Sequence, residues 1–274
     1  MEIVTAVLTL LLSMFILYIL LFLIFNYLIE PVYMMAFNRP IYVHFYPVSR
    51  QLEPSHIFIL ENEFRFYRKL SEKRKHYFRH RVSVFIKHYE FAGRDGLIVT
   101  EEMKVKIAAT AVMLTFGMRS FLSKLFSVII LYPDAFLSAN GEDYHKGEFN
   151  PRVGAVVFSW KHFSEGLQYD NDNLNLGLHE FAHVLHIDST KLRRPGSSAV
   201  IYDDMFARLM GYLQQPLNRE KLVDAGYFRE YAYTNQYEFI AVILEHFFET
   251  PAEFRQRFPK LYSIVARMIN YREG

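Results

Sequence analysis

The sequence predicts a mainly helical α+β fold behind an N-terminal transmembrane helix, and three observations predict it. An almost unbroken apolar run fills residues 3–29. Several later segments repeat their apolar residues at a helical period of about 3.6. Only two short stretches, SVIILYP (127–133) and GAVVFSW (154–160), have the β-branched and aromatic density of buried strands. The 274 residues are 51% hydrophobic and 17% aromatic, enough for one sizeable core and an appendage. A net charge of +2 supplies no broad field for nucleic acid, which is not expected as a partner. There is no cysteine, so disulfides and thiolate metal sites are excluded.

From Ile3 to Ile29 the one strongly polar residue is Asn26. About twenty such residues span a bilayer core of roughly 30 Å. A cleaved signal peptide is the competing reading, but no Lys or Arg precedes the run, the run is too long, and no small-x-small cleavage site is obvious. We therefore expect a retained single-pass anchor over residues 1–30. The N-terminal stub lacks Lys and Arg, whereas Arg39, Arg50 and a dense group from Arg65 to Arg81 follow the run. The positive-inside rule then puts the bulk of the chain in the cytoplasm.

Residues 31–60 read as an irregular connector, punctuated by Pro31, Pro40, Pro47 and Pro54. The remaining domain would run over 61–274. From Glu61 to Tyr89 the pattern is helical, with Tyr67, Leu70, Tyr77, Phe78, Val82 and Phe85 on one face. Most basic residues lie opposite, as a solvated face or a contact with anionic lipid heads. Arg74 and Arg81 fall near the apolar stripe. In LIVTEEMKVKIAATAVMLTFG, Thr100 is placed to cap a helix, acidic residues suit its first turn, and Gly117 is a natural stop. Between the two strands, DAFLSANGEDYHKGEFNPRV reads as a polar loop. The C-terminal third is helical, broken at Pro195–Gly196, Pro216 and Pro251.

His179, Glu180 and His183 form H-E-x-x-H within NLNLGLHEFAHVLHIDST. Residues four apart share a helix face, so both imidazoles can reach one ion. Zinc accepts neutral imidazole nitrogen. Glu180, one residue along, points to the side and is free to take a proton from an activated water. Apolar Leu176, Leu178, Phe181, Ala182, Val184 and Leu185 fill the other positions, as a buried helix requires. The flanks QYDNDN and DSTKLRRP are polar, so this helix belongs to a soluble domain rather than the bilayer.

Tetrahedral zinc needs a third protein ligand. The metzincin spacing fails, because His186 stands where Gly would be and Ser189 where His would be. His186 lies close to the same face but a turn further along, which favours a supporting or packing role. In YAYTNQYEFIAVILEHFFETP, Glu238 opens an apolar helical run, where a buried carboxylate is costly unless paired or bound to metal. Glu245, seven residues on, shares that face, and only one of the two should reach the ion. If the helix extends back, Tyr231 also lies on it, as an oxyanion donor or as ordinary aromatic packing.

The segments LIVTEEMKVKIAATA, YPDAF, YHKGEF, VVFSW, HEFAH, YAYTNQYEFIAVILEHFF and FPKLY occur in that order between Phe64 and Tyr271. In these the chain resembles the Mlc titration factor A (MtfA) family of zinc-dependent peptidases. These are gluzincin-type enzymes with a catalytic domain similar to that of anthrax lethal factor. The resemblance implies Zn2+ held by His179, His183 and Glu238, with Glu180 as the catalytic glutamate and Tyr231 as the active-site tyrosine. Two features depart from the family: it usually has aspartate where this chain has His186, and its best-known members lack an N-terminal hydrophobic segment. Binding of a sugar-transport repressor belongs to particular members and does not transfer.

The expectation is a zinc-dependent peptidase acting on a peptide or protein substrate, anchored in the membrane by its N-terminal helix. A regulatory protein partner is left open. GAVVFSW is expected as an edge strand that pairs with extended substrate, a reading that Val157→Pro would test through loss of cleavage with zinc retained. The rival reading is a membrane-anchored, metal-stabilised regulatory or binding module with little turnover. The presence of Glu180 argues against it, because a purely structural site has no use for a base there.

Overall fold

Helix α1 (Glu2–Ile24) is apolar on every face, and none of its side chains is buried. The computed structural model describes residues 1–137, 143–169, 171–191 and 198–272. Among these, the helix that α1 opens is the one long and apolar enough to cross a membrane. It does not stop at residue 30. A π-helical turn (Phe25–Ile29) leads into α2 (Glu30–Phe37), so the helix runs past Pro31. This corrects the expectation of irregular chain from residue 31: the wider turn ahead of the proline accommodates the backbone bond that Pro31 cannot make. Asn38, left-handed at φ 50°, ends the helix.

The helix expected over 61–89 is three pieces: α3 (Pro54–Glu63), α4 (Arg65–Arg68) and α5 (Glu72–His88). Extended backbone at Phe64 and Ser71 interrupts the run. The apolar stripe nevertheless works as expected, with Tyr67, Leu70, Phe78, Val82 and Phe85 all buried. After strand β1 (Glu90–Gly93) comes α6 (Glu101–Thr115), where the Thr100 hydroxyl accepts from the Met103 amide. Arg81 sits among the apolar residues for a reason. Fully buried, it donates to the carbonyls of Thr115 and Met118, which close the end of α6, and to the Tyr46 hydroxyl of the connector. Arg119 pairs with buried Glu30 of α2, fastening the N-terminal apolar helix to the domain.

Both expected strands form, as β2 (Val128–Tyr132) and, after three shorter ones, β6 (Ala155–Ser159). The stretch expected to be a polar loop contains β3 (Phe136–Leu137), β4 (Tyr144–His145) and β5 (Gly147–Asn150); residues 138–142 of it lie outside the described part. The Asn150 side chain accepts from the amides of Arg152 and Val153, and this turn folds β5 back along β6. The main sheet runs β1-β2-β6-β5, parallel except for β5. GAVVFSW therefore has a neighbour on each side, which overturns the edge-strand expectation for it. The sheet edge beside α8 is β5.

The rest is helical: α7 (Trp160–Gln168), α8 (Leu176–Lys191), α9 (Ser198–Leu213), α10 (Pro216–Asp224), a 3-10 turn (Glu230–Tyr233), α11 (Gln236–Glu249), α12 (Pro251–Arg257) and α13 (Pro259–Met268). Pro216 and Pro251 open helices, where their missing N–H is not needed. The break expected at Pro195–Gly196 lies outside the described residues. Helix α8 is the axis of the core, packed against α6, α9, α11 and β5.

Candidate metal centre

Two helix starts aim the site. Asn175 caps α8 by accepting from the Leu178 amide, and Asn235 caps α11 by accepting from the amides of Tyr237 and Glu238. Those caps set where His179 and Glu238 fall as the helices cross. Nε2 of His179 lies 3.0 Å from Oε2 of Glu238, and Nε2 of His183 lies 3.7 Å from Oε1. The two imidazoles stand nearly perpendicular, at 87°. One ligand atom from each of the three residues falls within 4.8 Å of the others.

The donor set fits a divalent ion. Nδ1 of His179 lies 2.7 Å from the Glu245 carboxylate, which can only accept when ionised, so the imidazole proton belongs on Nδ1. The Nε2 lone pair then faces Glu238 Oε2, a buried oxygen that has no hydrogen-bond donor. Two facing acceptors need a cation between them. Tetrahedral ligands with legs of ~2.0–2.1 Å stand roughly 3.3 Å apart, close to the separations here. A second proton on His179 would answer the His179–Glu238 pair alone, whereas an ion also takes His183, whose Nε2 faces the other Glu238 oxygen. Burial disfavours charge on His179, yet Glu238 and Glu245 outweigh it and push its pKa up to about 9. Burial and the neighbouring His179 charge push His183 down to about 4.

Glu180 is buried beside this group, not within it. Burial is the main cause that moves its carboxyl up to about 7, while charge on His179 and the Phe149 amide hold it back. That amide belongs to β5. Because Lys146 and Asn150 direct their carbonyls at β6, Gly147 and Phe149 direct their backbone groups away from it, along the free edge toward α8. A Cβ on Gly147 would stand 2.8 Å from Oε1 of Glu180. Only glycine lets the strand approach this closely.

Tyr231 reaches the site by a different route from the one expected. It lies in the 3-10 turn, not on a backward extension of α11, which Asn235 terminates. Its ring lies 6.1 Å from that of His179, near enough to the Glu238 carboxylate for that charge to act on its phenol. Burial and the Glu238 charge push its pKa up to about 12, so the phenol keeps its proton.

A family model described as glucose-regulated metallo-peptidase M90 matches residues 47–270. The chain belongs to this family. The M90 match begins within the connector and leaves the N-terminal apolar helix outside it. The uncharacterized protein slr2042 of Synechocystis sp. is 27% identical over 80% of this chain and 84% of its own length. Mlc titration factor A of Serratia proteamaculans is 26% identical over 63% of this chain and 71% of its own, and that of Yersinia pestis 23% over 68% and 73%. The MtfA resemblance is thereby upheld, at low identity. Membership makes this a metallopeptidase-family protein, which implies a metal and suggests a peptide or protein substrate.

Sequence reasoning missed what stands behind the H-E-x-x-H helix. Glu245, weighed there as a ligand, sits behind His179 and is gripped by both guanidinium nitrogens of Arg229 at 3.0 and 2.7 Å. Arg229 also donates to the Asn173 carbonyl just before α8. A buried glutamate within an apolar helix signals a partner, but nothing in YFREYAY marks which arginine supplies it. His186 is no ligand candidate in the fold: it is buried, its Nδ1 lies 3.1 Å from the Tyr202 hydroxyl, and Phe206 and Tyr237 flank its ring.

Proposed function

We propose that this chain is a membrane-anchored zinc peptidase of gluzincin type. The observation that carries the reading is the convergence of His179, His183 and Glu238 beside a buried carboxylate, Glu180, that is not one of the ligand group. Imidazole and carboxylate donors in a half-buried pocket suit zinc, and His179 and His183 with Glu238 would hold it. Once bound, such an ion lowers the pKa of a water and polarises the scissile carbonyl. Glu180 takes the proton from the attacking water and passes it to the leaving amine. Tyr231 donates a hydrogen bond to the carbonyl oxygen as negative charge develops there. Glu245 and Arg229 hold the His179 ring and its tautomer.

The free edge of β5 gives an extended peptide a place to pair. Its outward backbone groups at Gly147 and Phe149 flank Glu180, which supports placing the scissile bond there rather than at β6. The apolar helix that runs from Glu2 to Phe37 is assigned as the anchor, and the peptidase domain that follows the connector is assigned to the cytoplasmic side. The basic residues that follow the apolar run support this orientation.

A peptide panel with wild type and Glu180→Gln, with zinc content measured in both, tests the reading. Cleavage lost with zinc retained supports it. Equal, trivial turnover in the two would instead mean a metal-stabilised binding module.

A further inference from the structure

Behind the candidate metal centre, on the opposite side of α8, is a cavity of about 500 Å³. Small-molecule sites commonly enclose ~300–1,000 Å³. Phe181, Val184, Leu185 and Asp188 line it, a helical i, i+3, i+4, i+7 stripe distinct from the face that carries His179 and His183. Most of the remaining wall is apolar and comes from α5, α6 and the segment after α6.

One lining residue, Asn26, belongs to the membrane helix. It falls in the π-helical turn, the kind of local irregularity found at functional sites. The 23 residues of α1 rise roughly 34 Å at ~1.5 Å each, enough to cross the bilayer, so Asn26 stands at the membrane surface. The cavity thus opens where lipid is the neighbouring solvent. Polar groups interrupt these walls: Arg119 is engaged by Glu30, Lys124 and Ser120 are exposed, and Oδ1 of Asp188 is buried without a hydrogen-bond partner.

We propose that this cavity holds one acyl chain of a bilayer glycerophospholipid, with the phosphate at Lys124. The chain fills an apolar space that water would occupy at a cost. Lys124 supplies the cation for the phosphate, and Asp188 Oδ1 accepts a donor from the headgroup. This inference does not depend on peptidase activity.

The test uses the full chain in phospholipid nanodiscs carrying a phospholipid with a photoactivatable diazirine at the end of its acyl chain. After irradiation, crosslinked peptides are mapped by mass spectrometry. Any membrane helix will label on α1, but α8 lies inside the domain and labels only if a chain enters the cavity. We expect crosslinks on Phe181–Asp188, reduced about tenfold in Ser120→Trp while those on α1 are unchanged. Ala199→Phe, another wall position, repeats the test, and unchanged melting temperatures show that both variants are folded. Crosslinks confined to α1 overturn the proposal. So does α8 labelling that neither variant reduces, or labelling of α8 by a diazirine fatty acid but not by the phospholipid.

Discussion

Nδ1 of His179 lies 2.7 Å from Oε1 of Glu245, and Arg229 holds that carboxylate from the other side. A metal-directed histidine is oriented by what its second nitrogen touches. Here the partner is charged and almost fully buried, and a second charged group fixes it in turn. Glu245→Gln keeps an acceptor near Nδ1 but removes the charge that Arg229 needs. We expect zinc affinity to fall about 10–100-fold, as read by competition against a chelator. Unchanged affinity would reduce the Glu245–Arg229 pair to a packing element.

Gly147 governs the separation between β5 and Glu180. In Gly147→Ala the new methyl would meet Glu180 and Leu176 side-chain atoms at 2.7–2.9 Å. These are mobile ends of side chains, so the fold should survive while the carboxylate shifts. Cleavage is expected to drop by about tenfold or more with zinc stoichiometry intact, because a displacement near 1 Å is enough for such losses. Gly211→Ala is the control, since a methyl there meets open space within α9 and should leave cleavage unchanged.

Tyr231 is half exposed, its ring is 6.1 Å from that of His179, and its hydroxyl keeps its proton. Tyr231→Phe removes that hydroxyl without altering the three ligand side chains. Steady-state kinetics should show kcat reduced by about 10²–10³ with KM little changed, the pattern of a donor used chiefly in the transition state. A change confined to KM would make the ring a substrate contact instead.

Glu249 gives stability a pH dependence remote from the ligands. Burial pushes its carboxyl up to about 8 from the ordinary 4.5, while Asn175 donates to one oxygen and the other has no donor. The folded state therefore holds this proton more tightly than the unfolded state does. The associated stability is complete below about pH 4.5 and is lost as pH rises through about 8. Glu249→Gln keeps an acceptor for Asn175 and has no charge to gain. Thermal unfolding should find the variant close to wild type at about pH 4.5 and more stable than wild type at about pH 9. Parallel curves at both pH values would contradict this.

Much of the site was legible because its information is local. His179, Glu180 and His183 lie within one turn and a half of helix, and their spacing alone puts both imidazoles on one face. Thr100 likewise announced its helix through a cap that acts over three residues. What was not legible depended on distant pairing. β5 is a four-residue polar strand that exists because β6 lies beside it, and GEFN taken alone has no strand signature. Arg81 fell near the apolar stripe and Arg229 carried no signal, and the partners of both emerge only once the carbonyls and carboxylate around them are brought close.

The sequence by itself determined that the chain has a membrane-length apolar helix, a mainly helical domain and an H-E-x-x-H helix, since each follows from periodicity or spacing within one segment. Only the tertiary structure decided that Glu238 meets the histidines while Glu245 stands behind them, and that β5 rather than β6 forms the sheet edge beside α8. Those outcomes depend on how α11 crosses α8 and how the strands order themselves. Packing between segments tens of residues apart sets both, and no local pattern encodes the angle or the order.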